Sequence, residues 1–121
     1  MSKTILTVDD SRTMRDMLML ALSNAGYRVV QAEDGMHGLE VLQDATPDVI
    51  ITDINMPRMD GFGFIEGVRG DNRHRAVPIL VLTTESDATK KDRARRAGAT
   101  GWIIKPFDPI KLVEAIRRVA A

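Results

Sequence analysis

The chain contains no cysteine among its 121 residues. Disulfides, a thiolate nucleophile and a thiolate metal site are therefore excluded. Net charge is missing as well, with 17 Lys and Arg against 17 Asp and Glu. Without a global field there is no general attraction to nucleic acid, and charge-based recognition has to be local. No apolar run approaches membrane-spanning length, and the start MSKTIL lacks the long apolar core of a secretory signal. A cytoplasmic protein that engages neither membrane nor nucleic acid is expected. No "GKS" or "GKT" of a phosphate-binding loop is present, so nucleotide binding is not expected. The two histidines, His37 and His74, fall in a helical stretch and a polar loop. They are expected at the surface, with no metal.

What is present is a regular alternation. Short apolar runs occur at Thr4–Val8, Tyr27–Ala32, Asp48–Thr52, Pro78–Leu82 and Gly101–Ile104. Three are continuous and β-branched, as strands covered on both faces should be. The second is more polar and is expected nearer an edge. Between the runs, Met14, Leu18, Ala21, Leu22 and Ala25 recur at helical spacing, as do Leu112, Ile116 and Val119. Weaker helices fit 35–45, 61–70 and 88–97. Ser11 can cap the first helix and Gly26 can end it, while Asp108-Pro109 makes a good entry to the fifth. Strand-helix repetition predicts α/β architecture: five parallel βα units wound on both faces of one sheet. The length suits one domain, expected over 1–121 with no output domain.

A parallel sheet brings all its strand C-termini to one edge, and ligands bind at that edge. The first strand ends in Asp9-Asp10, the third in Asp53, the fourth in Thr83-Thr84 and the fifth in Lys105. Only the second lacks a reactive group. Each residue has an ordinary reading: Asp10 as a cap, Asp53 as a turn residue, Thr83 as a strand terminator, Lys105 as a surface lysine. Their convergence is harder to explain that way, because clustered carboxylates repel one another unless a cation neutralises them. Carboxylates without His or Cys suit a hard cation such as Mg2+. With the cation present, Asp53 can attack phosphorus and form an aspartyl phosphate. Lys105 can neutralise phosphoryl oxygens and Thr83 can donate to one.

The motifs VDDS (Val8–Ser11), DINMPRMDG (Asp53–Gly61), LTT (Leu82–Thr84) and KPF (Lys105–Phe107), in this order, resemble the receiver domain of two-component response regulators over essentially the whole chain. The likeness is nearest to stand-alone chemotaxis receivers, notably the alphaproteobacterial type with GATGWIIKPFDP. The resemblance implies a flavodoxin-like sheet of order 2-1-3-4-5. It implies Asp53 as phosphoacceptor, Asp10 as a direct Mg2+ ligand, Asp9 acting through a bound water, and the Asn55 carbonyl completing the protein's share of the shell. It implies Thr83 as switch hydroxyl, Lys105 as the phosphoryl-contacting lysine, and a cis Lys105-Pro106 bond. Thr84, where a small residue is common, is expected to narrow access to the phosphoryl group. Asn55 and Glu85 occupy positions that tune dephosphorylation. Trp102 replaces the usual Tyr or Phe, with a core anchor and a rotating switch both open as readings.

The expected partners follow from the same resemblance. They are a chemotaxis histidine kinase as donor, the flagellar motor switch protein as target, and a phosphatase as a further candidate. The protein is expected to act as a monomeric switch rather than as an enzyme on an external substrate. The target would bind helix four, strand five and helix five. Lys90, Lys91, Arg93, Arg95 and Arg96 cluster there, either as a solvated face or as a docking surface. One alternative is a phosphorelay intermediate or phosphate sink. Another is a haloacid-dehalogenase-like phosphatase, which wants a second Asp where Asn55 stands.

Overall fold

The computed structural model describes residues 3–120. Met1 and Ser2 of the expected signal-free start, and Ala121 at the end of the expected domain, lie outside the described residues. Strands β1 (Thr4–Val8), β2 (Arg28–Ala32), β3 (Val49–Thr52), β4 (Ile79–Thr83) and β5 (Gly101–Ile104) alternate with helices. These are α1 (Arg12–Asn24), α2 (Gly35–Val41), α3 (Gly61–Arg69), α4 (Ala88–Ala97) and α5 (Pro109–Val119). Every strand pairing is parallel, in the order β2-β1-β3-β4-β5. This is the three-layer arrangement expected from strand-helix repetition, in the flavodoxin-like order that the resemblance implied.

Strand alternation explains why the sheet needs helices on both faces. Ile5, Val49, Ile51, Leu80 and Leu82 point to one side, against Leu18 and Leu22 of α1 and Leu112 and Ile116 of α5. Leu6, Val8, Ile50, Ile79 and Val81 point to the other, against Phe64, Ile65 and Val68 of α3 and Ala94 of α4. Each fully buried Leu, Ile or Phe contributes roughly 1.5–3 kcal/mol over its exposed state. Burial on both faces therefore fixes which strand residues face which helix layer, and with them the register.

Helix starts are marked in the sequence. The Ser11 hydroxyl accepts from the Met14 N–H at 3.2 Å, and Asp34, Asp60, Asp87 and Asp108 cap the four later α-helices. Each such cap is typically worth about 1 kcal/mol. Gly26, at φ 91°, ends α1 in a left-handed turn.

Several expectations shift. Strand β2 begins at Arg28 rather than Tyr27, β3 at Val49 rather than Asp48, and β4 spans Ile79–Thr83 rather than 78–82. Helix α2 stops at Val41 instead of reaching Ala45. Its last turn tightens, with Gln43 N–H donating to the Glu40 carbonyl and Asp44 N–H to that of Val41. Pro47 lies just ahead and forces its predecessor toward extended backbone. The polar loop after α3 holds a short 3-10 turn, Asn72–His74. His74 is buried there, not at the surface, with Nε2 2.9 Å from the Leu42 carbonyl. His37 is half-buried, its Nδ1 accepting from the Glu33 N–H at 3.0 Å. Both rings serve backbone groups, His37 a near one and His74 one far along the chain, which a short polar context does not reveal.

Candidate functional site

The register delivers the expected residues to one edge. Val8 is aligned with Ala32 and with Thr52, and Thr83 with Ile104. Beyond these pairs the ladder continues: Asp9 N–H donates to the Ala32 carbonyl, Asp53 N–H to that of Val8, and Lys105 N–H to that of Thr83. Asp9, Asp53 and Lys105 are thus held by sheet hydrogen bonds although each lies one residue past its strand. The Lys105-Pro106 bond is cis.

Lys105 reaches across the edge. Its Nζ lies 2.9 Å from Asp9 Oδ2 and 3.0 Å from Asp53 Oδ2. Asp9 is almost fully buried, Asp53 keeps 8% of its surface, and Asp10 is exposed. The Asp53 Oδ1 accepts from the Ile54 N–H at 2.6 Å, and the Asp9 Oδ1 from the Ser11 N–H at 2.9 Å. Carboxylate oxygens of Asp9, Asp10 and Asp53 all lie within 4.8 Å of one another. Three hard oxygen donors in that space, one of them on an exposed side chain, fit a divalent cation such as Mg2+.

The electrostatics refine the idea of mutual repulsion. Burial is the main cause that pushes the Asp9 carboxyl above its ordinary range, with the Asp53 charge the smallest contribution. The Lys105 hydrogen bond and the Ser11 N–H oppose that rise without cancelling it. For Lys105, burial lowers the ammonium pKa, but the bonds to Asp9 and Asp53 outweigh burial and leave it raised. A raised carboxyl pKa means that the folded state binds this proton more readily than the unfolded chain does. Asp9 therefore costs stability at neutral pH, and the cost disappears as pH falls through its folded pKa toward the ordinary value of 3.8. Asp9→Asn is accordingly expected to stabilise the metal-free protein at pH 7, since Lys105 keeps Asp53 as a partner. Urea titrations should show the gain shrinking in acid. A loss of stability at pH 7 would contradict it.

Around this centre lies a bridge the sequence did not disclose. The Asn55 Nδ2 donates to Glu85 Oε1 at 3.2 Å, and the Lys90 Nζ donates to the same oxygen at 3.0 Å. The Lys90 hydrogen bond, then that from Asn55, hold the Glu85 carboxyl below its usual range. The Glu85 N–H donates to the Thr83 hydroxyl oxygen at 3.3 Å, and the Glu85 carbonyl accepts from the Trp102 indole at 3.1 Å. Thr83 is fully buried, Thr84 exposed and Trp102 half-buried against the α2–α4 face core. Glu85 thereby links both loops at the site's mouth to α4 and β5. The sequence marks Asn55 and Glu85 as flanking positions but carries no sign that they bond or that Lys90 joins them. Elsewhere on α4, Arg95 and Arg96 both pair with Asp92, and Arg93 stacks 4.1 Å from the Phe62 ring centroid.

The glycine of Asp60-Gly61 has a packing reason. A Cβ at Gly61 would sit 2.8 Å from the Ile54 Cα and collide with the Asp53 carbonyl, while the Gly61 N–H donates to the Ile54 carbonyl at 2.8 Å. The start of α3 thus lies directly under the phosphoacceptor candidate.

Comparisons with known proteins agree with this geometry. Residues 5–117 match the family described as response regulator receiver domain. The chain is similar to chemotaxis protein CheY1 of Helicobacter pylori, 43% identical over 95% of this chain and 94% of that one. It is similar in structure to the chemotaxis protein CheY4 of Vibrio cholerae, with a TM-score of 0.94 and 44% identity, covering 98% of this chain and 99% of the other. A further likeness, at 26% identity and a TM-score of 0.92, covers 99% of this chain and 98% of a Pseudomonas aeruginosa sensor kinase receiver domain. That protein was solved with a magnesium ion coordinated in its active-site cleft.

Proposed function

Because the chain belongs to the response regulator receiver family, and resembles chemotaxis regulators over nearly all its length, we propose that it is a chemotaxis switch phosphorylated on Asp53. The observation that carries this reading is the Lys105 ammonium bridging two buried carboxylates at 2.9 and 3.0 Å. A cation held at that point neutralises charge where a phosphoryl group would arrive, which is the main demand of phosphoryl transfer.

In this reading a chemotaxis histidine kinase presents a phosphohistidine. The Asp53 carboxylate attacks phosphorus, a P–O bond forms, and the P–N bond breaks with its electron pair going to the imidazole. Mg2+ bound by Asp10, Asp53 and the Asn55 carbonyl, with Asp9 acting through water, would supply further charge neutralisation at the phosphoryl oxygens. Lys105 stays beside the new oxygens. Among the described residues, the buried Thr83 hydroxyl accepts a long bond from Glu85 and is not seen to donate, so its proton can turn toward the phosphoryl group. Moving Thr83 pulls on Glu85, and Glu85 holds Trp102 through its carbonyl. Thr84, at the mouth, and the Asn55–Glu85–Lys90 bridge would set how readily water reaches the acyl phosphate.

The output is the α4-β5-α5 face, with the flagellar motor switch protein as target. A groove of about 320 Å3 opens there, lined by Lys91, Asp92, Arg95, Thr100 and Trp102 among others, with Arg95 paired to Asp92, and Ile104 is exposed nearby. Cationic side chains around an aromatic wall suit an acidic, amphipathic segment. The chemical product is a changed surface, so the protein acts as a signal rather than as an enzyme. The test is capture by the motor switch protein with and without beryllofluoride, which mimics the phosphoryl group, while Trp102 fluorescence is followed. Stronger capture and a changed signal on activation are expected. Equal binding in both states, with phosphotransfer from the kinase intact, would make the protein a phosphate sink instead. Multiple turnover of a phosphate ester would make it a phosphatase.

A further inference from the structure

Arg58, in the middle of the loop between β3 and α3, has φ 64°. Among the described residues it is the one non-glycine in this left-handed region, which L side chains rarely adopt. Something has to hold it there. Its guanidinium forms a two-pronged pair with Asp34, Nε to Oδ2 at 2.7 Å and Nη2 to Oδ1 at 2.9 Å. The Asp34 side chain keeps only 6% of its surface, and it also caps α2 by accepting from the His37 N–H at 2.9 Å. The Arg58 hydrogen bond is the largest cause holding the Asp34 carboxyl below its ordinary range. Parallel guanidinium-carboxylate bonds fix direction as well as distance.

A second tie lies next to the first. The Gly35 N–H donates to the Met59 carbonyl at 3.3 Å, and a Cβ at Gly35 would come within 2.8 Å of that carbonyl oxygen. The loop is therefore fastened to the corner after β2 at Arg58 and Met59. At its other end it is fastened by the Gly61–Ile54 backbone bond and by the Asp53 Oδ1 accepting from the Ile54 N–H. Asn55, Met56 and Pro57 span the interval between the two fastenings. The sheet-edge corner that lacked a reactive group in the sequence thus holds the far end of the metal-site loop.

We propose that Asp34 and Arg58 are positioning residues, a clamp that preorganises the Asn55 carbonyl for a divalent cation. The inference rests on the reading of that carbonyl as a Mg2+ ligand. A ligand on a loop fixed at both ends needs little reorganisation when the cation arrives, and partners outside the ligand set commonly govern metal affinity this way. Releasing Arg58 loosens one end of the span, which then hangs on the Gly35–Met59 bond.

The substitutions can be chosen to spare the fold. Arg58→Gly keeps the left-handed backbone accessible while deleting the clamp. Asp34→Asn keeps the α2 cap, since Asn caps as well as Asp. Calorimetric titration of the full chain with MgCl2 should show dissociation constants raised about tenfold in each variant. The double variant should be no weaker than either single one, because both remove the same interaction. Arg58→Lys, which keeps the charge but not the two-pronged geometry, should fail to restore affinity. A purely structural pair would instead lower the melting temperature and leave Mg2+ affinity unchanged, and that outcome overturns the clamp. Additive losses in the double variant overturn it as well. Failure of the unmodified protein to bind Mg2+ removes the metal-site reading itself, and the clamp falls with it.

Discussion

Replacing Lys105 with methionine is expected to destabilise the metal-free protein by about 3 kcal/mol at pH 7. The side chain is only 11% exposed and bridges the side chains of Asp9, 3% exposed, and Asp53, 11% exposed. Methionine fills much of the same volume, so lost packing is small. What disappears is a cation bonded to two nearly buried carboxylates, and an unpaired buried charge is costly. The deficit should shrink in two ways. Added Mg2+ replaces the missing positive charge. Acid does the same by protonating the carboxyls, one of which is already displaced upward by burial. In the unmodified protein, Lys105's folded pKa is raised above 10.5, so its contribution is complete below that value and is lost as pH rises through the folded pKa. Urea denaturation of both proteins at neutral and acidic pH, with and without Mg2+, measures all of this. A deficit that ignores both pH and Mg2+ would mean that Lys105 acts through packing.

Asp53→Asn is expected to abolish phosphorylation while leaving the fold intact. The amide presents no anionic oxygen to phosphorus, so no acyl phosphate can form. The backbone bond from Asp53 N–H to the Val8 carbonyl does not depend on the side chain. Lys105 retains Asp9 as its partner. Loss of labelling with acetyl phosphate, alongside an unchanged or higher urea midpoint, would therefore report chemistry rather than unfolding. Hydroxylamine-sensitive labelling that persists in this variant would move the acceptor elsewhere.

Much of this architecture was legible from periodicity and punctuation. Continuous apolar runs fixed the strands, and α4 begins and ends where its sequence pattern does, at Ala88 and Ala97. Strand-end placement was legible too, because parallel topology sends Asp9, Asp53, Thr83 and Lys105 to one edge wherever the helices fall. The missing parts are pairings across space. Asp34 and Arg58 lie 24 residues apart, and each has an ordinary role, as a helix cap and as a polar loop residue. Only the folded loop shows them joined. The same holds for Lys90 and Asn55, which meet on one Glu85 oxygen. His74 looked like a polar loop residue because its partner, the Leu42 carbonyl, lies 32 positions away. Trp102 had two readings in the sequence, and its surroundings show why: the ring packs against the core while its N–H holds a loop carbonyl.

The central claim is that Asp53, rather than its neighbours Asp9 and Asp10, takes the phosphoryl group. Borohydride reduction of an acyl phosphate converts that aspartate to homoserine, which peptide mass spectrometry locates. The unmodified protein, phosphorylated by its kinase or by acetyl phosphate in Mg2+, should yield homoserine at position 53 alone. Homoserine at position 9 or 10, or none at any position after successful labelling, would contradict the account.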